Sequence, residues 1–379
     1  MSDVPHLRFP EFRGEWEEHK LSEYLEFKNG LNPDAKRIGS GLPFISVMDI
    51  LSEGVINYDN IRGKVDATEK EIECFGVKDG DLLFQRSSET LEDVGRANVY
   101  MDNRTAIYGG FVIRGRKIGN YEPLFFKYLL ATPLARKKTC RMGAGAQHFN
   151  IGQEGLSKIS LYFPSIEEQS KIATLLSLID DRIATQNKII EDLKLLKSAI
   201  AETVFNNMKG HLTNLSAICN IVKGKQVNGE ELSEKGKYYV MNGGVTPSGY
   251  YDQCNTPANT ISISEGGNSC GYVQYNKSSF WSGGHCYTLQ DICSGVETQY
   301  LFHYLKRYES NIMNLRIGTG LPNIQKKDLE NFRIVLPPSN VQKEIATCLT
   351  AIEHKILVEI NWVDSVQKEK QHLLRQMFI

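Results

Sequence analysis

Apolar residues recur alternately four and three positions apart along two long stretches of this 379-residue chain. In residues 164–206 the set is Ile172, Leu176, Ile179, Ile183, Ile190, Leu193, Ile200 and Val204. In residues 337–379 the set is Ile345, Leu349, Ile352, Ile356, Val363, Val366, Leu373 and Met377. A heptad pattern of this length is typical of a seam between long helices, and a proline opens each stretch, where a helix start tolerates it. The pattern therefore predicts two long helices that pack through their seams.

The two stretches also align with each other without a gap, 173 positions apart. The matched residues are Pro164 with Pro337, Gln169 with Gln342 and Phe205 with Phe378, and polar interruptions match at Gln186 with Glu359 and Lys197 with Lys370. Any two amphipathic helices share some likeness, but here it continues upstream, where Asn150 matches Asn323 and "FKYL" at 126–129 recurs as "FHYL" at 302–305. The sequence therefore predicts a tandem duplication, each half being a globular domain followed by a long helix.

Each globular half shows short strand-like runs between turn residues. In the first half the expected strands are 42–48, 80–85 and 106–113, with helices at 21–27 and at 121–130 continuing to 141. In the second half the expected strands are 238–241, 260–264, 271–274 and 286–289, with helices at 215–221 and 299–314. The expected fold class is α+β: two mixed α/β domains with mostly antiparallel strands, and two long helices.

Composition narrows the class of protein. The net charge is −1, so any nucleic-acid site must be local. The eight cysteines include no Cys-x-x-Cys pair, no hydrophobic signal segment opens the chain, and no apolar run has the length of a membrane span. We expect a soluble cytoplasmic protein with free thiols.

Catalytic motifs do not stand out. No Gly-Lys pair is followed by Ser or Thr, as a phosphate-binding loop requires, and the Gly-x-Gly at 143–145 alone is a weak dinucleotide signal. Pro337-Pro338-Ser339 lacks the polar and aromatic neighbours of an amino-methyltransferase motif, and Pro33-Asp34 lacks the rest of a nuclease motif. His285, Cys286 and Cys293 fit no common zinc spacing. We therefore expect no cofactor, no metal and a binding function.

Polar side chains of the first half gather at the ends of predicted strands. The candidate DNA-binding residues there are Lys28, Asn29, Arg86, Ser87, Ser88, Arg96, Arg141, Gln147 and His148. Arg86 follows a buried strand, where a guanidinium can read guanine and neighbouring hydroxyls can take phosphate. Pairing of Arg86 with Glu89 or Glu92 is the alternative. Arg141 ends a basic run that suits either the phosphate backbone or a helix C-terminus.

In the second half, polar and aromatic residues, Tyr251 and Glu265 among them, crowd glycine-rich loops. The candidate DNA-binding residues are Asn242, Ser248, Tyr250, Ser264, Asn268, Tyr272, Thr319 and Asn323. Such loops bind ligands, but they also simply make turns. Asn150 and Asn323 occupy matching positions, which favours a bracing role for both.

The layout resembles the specificity (S) subunit of type I restriction-modification systems. The resemblance covers nearly the whole chain and is carried by "FPEFRGEWEEHKLSEY", "GDLLFQRSS" and "VGRANVY" in the first half and by "SEGGNSCGYVQY" and "LPNIQKKDL" in the second. The proline-led helices "PSIEEQSKIATLLSLID" and "PPSNVQKEIATCLTAIE" complete it. It implies an N-terminal lead (1–15), a first target-recognition domain (16–163), a central conserved helix (164–206), a second target-recognition domain (207–336) and a C-terminal conserved helix (337–379). One departure is that Trp362 and His354 stand where the first helix has Ile189 and Asp181, which makes the two partner surfaces unequal.

The resemblance implies a non-catalytic subunit that binds double-stranded DNA, two modification (methyltransferase) subunits and restriction (translocase/nuclease) subunits. The candidate partner-binding residues are Ile172, Leu176, Ile179, Ile183, Ile345, Leu349, Ile352 and Ile356. A forty-residue helix spans roughly 60 Å at 1.5 Å per residue, so two antiparallel helices are expected to space two readers of a bipartite, asymmetric site. The rival hypotheses are a coiled-coil adaptor between two protein partners that does not bind DNA, and a stand-alone methyltransferase or nuclease.

Overall fold

The computed structural model of the protein describes residues 4–145, 148–318, 320 and 322–379. They form two compact units, the first comprising the chain up to Asn187 together with Trp362–Ile379, and the second comprising Lys188–Asn361. Both units mix helices and strands, which confirms the predicted fold class. Each long helix contributes to both units.

The first unit contains two four-stranded sheets. The first, called the central sheet below, is antiparallel, in the order Leu25–Asn29, Val112–Lys117, Leu82–Gln85 and Ala97–Val99. The second has a parallel middle pair, in the order Lys64–Val65, Ile38–Ile45, Ala106–Tyr108 and Gly76–Val77. Two-stranded pairs join Glu17–Lys20 to Ser160–Phe163 and Ser87–Ser88 to Phe149–Asn150.

Apart from the two long helices, the helices of the first unit are short. They are Val47–Ile50, Glu69–Phe75, Pro123–Ala131, Pro133–Cys140 and Gln153–Ser157, with 3-10 turns at Leu21–Glu23 and Ala35–Arg37.

Four expectations for this unit need correction. The helix expected at 121–130 and continuing to 141 breaks at Thr132, because that residue caps a second helix that begins at Pro133. The predicted helix at 21–27 is a 3-10 turn followed by a strand, because buried Leu25 lies in the central sheet, whose pairing overrides local propensity. The predicted strand at 42–48 ends at Ile45, because Ser46 and Asp49 form a capping box that starts a helix. The predicted strand at 106–113 is interrupted at Gly110, where a Cβ would lie 1.8 Å from Asn32 Oδ1.

The core of the first unit is aromatic. Tyr121 and Phe126 stack at 4.0 Å between ring centroids, and Phe126 stacks on Phe163 at 5.0 Å. Leu176 of the first long helix and Phe378, just past the end of the second, are buried in the same cluster. The first unit therefore holds the start of one long helix and the end of the other.

The second unit repeats this plan. Its central antiparallel sheet has the order Asn220–Lys223, Cys286–Gln290, Thr260–Ser264 and Val273–Asn276. The other strands are Tyr250–Tyr251, Tyr238–Met241 and Trp281–Ser282 in one sheet, and His211–Asn214 with Arg333–Leu336. The helices are Thr298–Arg307, Glu309–Met313 and Lys326–Glu330, with 3-10 turns at Leu215–Ala217 and Gly229–Glu231.

The expectations for this unit hold better. The strands at 238–241 and 260–264 form as predicted, whereas the expected helix at 215–221 is a 3-10 turn followed by the strand Asn220–Lys223. The predicted strand at 271–274 forms two residues later, and the predicted helix at 299–314 breaks at Tyr308. Buried in the core of this unit are Phe205 from the end of the first long helix and Leu349 from the second. These residues match Phe378 and Leu176 of the first unit in the duplication.

The two long helices are Ile166–Asn206, with 41 residues, and Ser339–Gln376, with 38 residues. Inside the first unit, Lys370 forms an ion pair with Asp180, and the Arg182 guanidinium lies 5.4 Å from the centre of the Trp362 ring. Inside the second unit, Lys197 Nζ lies 3.4 Å from Glu353 Oε2. Because later residues of one helix meet earlier residues of the other, the helices pack antiparallel within each unit.

Candidate nucleic-acid interface

The polar residues predicted at the end of a first-half strand lie together. Ser87–Ser88 pairs with Phe149–Asn150, and Ser87 Oγ donates to Asn150 Oδ1 at 2.5 Å. The Ile151 amide donates to the carbonyl of Arg86 at 3.0 Å. This pairing brings Arg86, Ser87 and Ser88 beside His148, which is exposed, whereas Gln147 lies outside the described residues.

The Arg86 guanidinium is half-buried, and its Nη1 donates to the Gly110 carbonyl at 3.3 Å. Within the described part of the chain, Arg86 makes no ion pair with Glu89 or Glu92, the alternative that the sequence left open. Arg96 instead pairs with Asp93 at 2.8 Å and keeps about half of its side chain exposed. Arg86 therefore retains donors for a ligand.

The basic run of the first half divides into structural and exposed residues. Arg136 Nη2 donates to the carbonyls of Glu92 and Val94, and burial lowers the pKa of its guanidinium. Lys138 Nζ donates to the Ser160 carbonyl at 2.7 Å. Arg141 follows the helix Pro133–Cys140 and is exposed, so it remains the candidate for a phosphate.

Lys28 and Asn29 end a strand of the central sheet. Lys28 Nζ lies 3.0 Å from Cys74 Sγ and 5.5 Å from the centre of the Phe75 ring. Asn29 stands opposite Ile113 in the ladder. The ammonium group of Lys28 is therefore already engaged within the unit.

In the second unit, a cleft of about 570 Å³ gathers four of the predicted residues. They are Asn242, Ser248, Asn268 and Asn323. The turns that form it need glycine, since Gly243 and Gly267 have φ of 84° and 76°. Amide and hydroxyl groups on such turns suit hydrogen bonding to a polar ligand.

Three ionisable side chains, Lys223, Glu265 and His285, also line the cleft. Of these, only Glu265 was named from the sequence among the residues of the glycine-rich loops. Lys223 Nζ lies 2.6 Å from Glu265 Oε1, and His285 Nδ1 lies 3.7 Å from Glu265 Oε2. Glu265 lies directly after a buried strand, the same position that drew attention to Arg86.

The other predicted residues of the second half brace the loops. Ser264 is buried, and its Oγ lies 2.6 Å from the Gly243 carbonyl, to which it donates. Lys306 Nζ lies over the Tyr272 ring, 3.9 Å from the ring centre. The backbone of Tyr250 pairs with that of Ser233. Thr319 lies outside the described residues.

The helical seam residues lie mainly inside the units. Ile172, Leu176, Ile183 and Leu349 are buried, whereas Ile179, Ile345, Ile352 and Ile356 are half-buried. The apolar side chains that the long helices expose are others: Leu178, Ile189, Leu195, Leu196, Leu357, Val358 and Ile360. Any partner of the helices meets these exposed residues first.

Within the described residues, no group of three or more His, Cys, Asp or Glu side chains is placed to hold a metal ion. In the same residues, no helix is long and apolar enough to cross a membrane.

Residues 13–195 and 212–361 both match the family described as Type I restriction modification DNA specificity domain. The chain belongs to this family. Two matches that together cover most of the chain also confirm the predicted tandem of specificity domains.

Relatives of this specificity chain include a Methanocaldococcus jannaschii protein described as a type I restriction enzyme specificity subunit (MjaX). It is 24% identical over 400 aligned residues, covering 95% of this chain and 92% of that protein. The EcoKI specificity subunit of Escherichia coli is 26% identical over 151 residues, 39% of this chain and 32% of that protein.

Solved structures support the same fold. The type I restriction-modification S subunit of M. genitalium matches with a TM-score of 0.72 at 18% identity, covering 99% of both chains. A chain from a study of complex assembly and conformational transition of the type I R-M system matches with a TM-score of 0.56 at 16% identity, covering 96% of this chain and 97% of that one. Both specificity domains and the long helices are included in these alignments.

Proposed function

We propose that this chain is the DNA sequence-recognition subunit of a cytoplasmic type I restriction-modification complex. Each target-recognition domain reads one half of a bipartite, asymmetric site, and the chain itself performs no catalysis. The observation that carries the proposal is the doubled plan of the chain. Two specificity domains share one central-sheet order, and each presents polar groups just beyond the same strand of that sheet.

The domain limits given above, from the N-terminal lead through the C-terminal helix, remain part of this proposal. The lead is held in the first unit, where Arg8 makes two hydrogen bonds to buried Glu168, at 2.8 and 2.7 Å, and the Leu7 amide donates to the Gln376 carbonyl at 2.9 Å. A charge-assisted bidentate pair of this kind holds a flanking segment firmly.

The proposed DNA contacts are of two kinds, contacts to phosphate and contacts to bases. Arg141, exposed at a helix end, supplies a phosphate contact that positions the duplex without reading it. Arg86 in the first domain and the cleft of the second domain supply base contacts, since their polar atoms lie on loops beyond strand ends.

The long helices have two roles in the proposal. They set the number of unread base pairs between the half-sites, and their exposed apolar residues dock two modification subunits, to which restriction subunits are added. Support for docking comes from Leu195 and Leu196, which are 69% and 50% exposed on adjacent positions of one helix. Contiguous exposed apolar side chains mark protein–protein interaction sites.

Methylome sequencing tests the proposal in a host that carries this chain with its modification subunit and has no other type I system. The expected result is one methylated motif made of two short, different sequences around a fixed unread gap. The matched control is the same host with the modification subunit alone, which should show no such motif. A complex that forms with modification subunits but prefers no duplex would favour the adaptor hypothesis instead.

A further inference from the structure

Arg86 and Glu265 occupy the same structural position in the two domains. Arg86 follows the strand Leu82–Gln85, and Glu265 follows the strand Thr260–Ser264, which holds the equivalent place in the other central sheet. The carbonyl of Arg86 accepts the Ile151 amide at 3.0 Å, and that of Glu265 accepts the Ile324 amide at 2.8 Å. The backbone amide of Arg86 donates to the carbonyl of Phe111, and that of Glu265 donates to the carbonyl of His285. Phe111 and His285 each directly precede the neighbouring strand of the central sheet.

The sequence duplication supports this equivalence. Ile151 and Ile324 are 173 positions apart, the offset of the helical repeats. The residue after Arg86, Ser87, pairs with Asn150, and the residue after Glu265, Gly266, pairs with Asn323. Asn150 and Asn323 are another matched pair of the duplication. One backbone arrangement thus presents a side chain beyond the sheet in both domains, positively charged in the first and negatively charged in the second.

The Glu265 side chain is held firmly but has one oxygen to spare. Its Oε1 accepts hydrogen bonds from Lys223 Nζ at 2.6 Å and Tyr287 Oη at 3.1 Å. Its Oε2 is buried and has no hydrogen-bond partner among residues 4–145, 148–318, 320 and 322–379. The residue as a whole is 7% exposed and lines the cleft. A buried carboxylate oxygen without a partner costs free energy, so the cleft is built for a donor.

We propose that Arg86 and Glu265 are the paired specificity-determining residues of the two half-sites and read bases of opposite hydrogen-bonding character. This inference rests on the proposed function. Arg86 donates to the O6 and N7 acceptors of a guanine in the first half-site. Glu265 Oε2 accepts from an exocyclic amino group, cytosine N4 or adenine N6, in the second.

Physical chemistry favours a base over phosphate for Glu265. A phosphate oxygen is an acceptor and carries negative charge, so it is repelled by a carboxylate. In the major groove, guanine and thymine present acceptors on their edges, whereas cytosine and adenine present an amino donor. The His285 side chain beside Oε2 is 64% exposed, so it is free to change rotamer when a ligand enters the cleft.

The test is methylome sequencing of hosts that carry Glu265→Gln or Arg86→Gln with the modification subunit. An amide both donates and accepts, so Glu265→Gln should relax one position of the second half-sequence, with roughly tenfold or greater loss of discrimination, and leave the first unchanged. Arg86→Gln should relax one position of the first half-sequence and leave the second unchanged. The matched control is Glu309→Gln, which removes another 2.6 Å Lys–Glu pair of the second unit, outside the cleft.

The outcomes separate this inference from the proposed function. If both variants methylate the wild-type motif unchanged, Arg86 and Glu265 read nothing, although the chain still specifies a site. If the wild-type chain itself yields no bipartite motif, the proposed function fails. If Glu265→Gln does not fold, as judged by its thermal melt, Lys223→Met replaces it. The Lys223 side chain is 52% exposed and its Nζ holds Glu265 Oε1 at 2.6 Å, so its loss releases the carboxylate from that orientation. This variant must relax the same single position, and an unchanged motif would overturn the assignment.

Discussion

Gln169 and Gln342 make the same two hydrogen bonds at equivalent places in the duplication. Gln169 Oε1 accepts the Glu122 amide at 3.1 Å and its Nε2 donates to the Pro164 carbonyl at 3.0 Å. Gln342 Oε1 accepts the Glu297 amide at 2.9 Å and its Nε2 donates to the Pro337 carbonyl at 2.9 Å. Each glutamine thus ties the start of a long helix to the N-cap residue of a domain helix, Glu122 before Pro123–Ala131 and Glu297 before Thr298–Arg307.

Replacing either glutamine by alanine should destabilise the protein by about 1–3 kcal/mol, because the backbone amide of a half-buried glutamate and the carbonyl of a buried proline lose their partners. Gln169 and Gln342 are 3% and 2% exposed, so water cannot replace the lost bonds. Urea unfolding of the purified chain measures the effect. Gln367→Ala, at an exposed position of the second long helix, is the control and should change stability by less than about 0.5 kcal/mol. Equal stability of all three variants would contradict the anchoring role.

Periodicity and duplication made the helices and their anchors predictable from sequence. A heptad over forty residues has few competing interpretations, and the matched positions of Gln169 and Gln342 follow from an alignment without gaps. The short helix expected at 215–221 failed, because the sheet recruits Asn220–Lys223 as a strand after a single turn. Elements of three to five residues depend on tertiary pairing more than on local propensity.

The candidate site was only partly predictable for a related reason. Arg86 was visible because a lone arginine after a buried strand stands out. Glu265 also follows a predicted strand, but the sequence did not pair it with Arg86, because 179 positions separate the two residues and the repeats are offset by 173. Only the backbone hydrogen bonds to Ile151 and Ile324 reveal that the two residues are equivalent.

His303 should make the stability of the second unit fall in acid. It lies in the helix Thr298–Arg307 with 3% exposure, its Nε2 is 3.0 Å from Thr350 Oγ1, and burial, assisted by the charge of Lys197, lowers its pKa to about 3. In the unfolded chain its pKa is about 6.5. Between these values the unfolded state binds a proton that the folded state refuses. The contribution of His303 to the free energy of unfolding is therefore complete above pH 6.5 and is lost as the pH falls towards 3.

Urea unfolding between pH 7 and pH 4 measures this dependence. His303 contributes a slope of up to about 1.4 kcal/mol per pH unit, which His303→Gln should remove. His354→Gln, at an exposed histidine of the second long helix, is the control and should leave the slope unchanged. If His303→Gln retains the full wild-type slope, another group is responsible.

The exposed leucines of the first long helix should control binding of the modification subunit. Leu195→Glu places a charge on a side chain that is 69% exposed, so the fold should tolerate it. Burial of that charge in an interface should weaken binding at least tenfold, about 1.4 kcal/mol. Titration of the purified modification subunit measures the affinity. Leu212→Glu, at a leucine 49% exposed on a strand, is the control and should bind normally. Loss of binding in Leu212→Glu alone would place the docking surface on the domain instead.

The helices should set the gap between the half-sequences without affecting what is read. Inserting seven residues after Asn187 and seven after Asn361 preserves the heptad, so each apolar seam continues in register. Seven helical residues add about 10.5 Å at 1.5 Å per residue, which corresponds to roughly three base pairs at 3.4 Å each. Methylome sequencing should then show an unread gap longer by about three base pairs between unchanged half-sequences.

Insertion into one helix alone shifts the two seams against each other and should abolish the motif rather than lengthen its gap. The half-sequences depend on side chains such as Arg86 and Glu265, which the insertion does not touch. A changed half-sequence with an unchanged gap would therefore show that the helices do not measure the site.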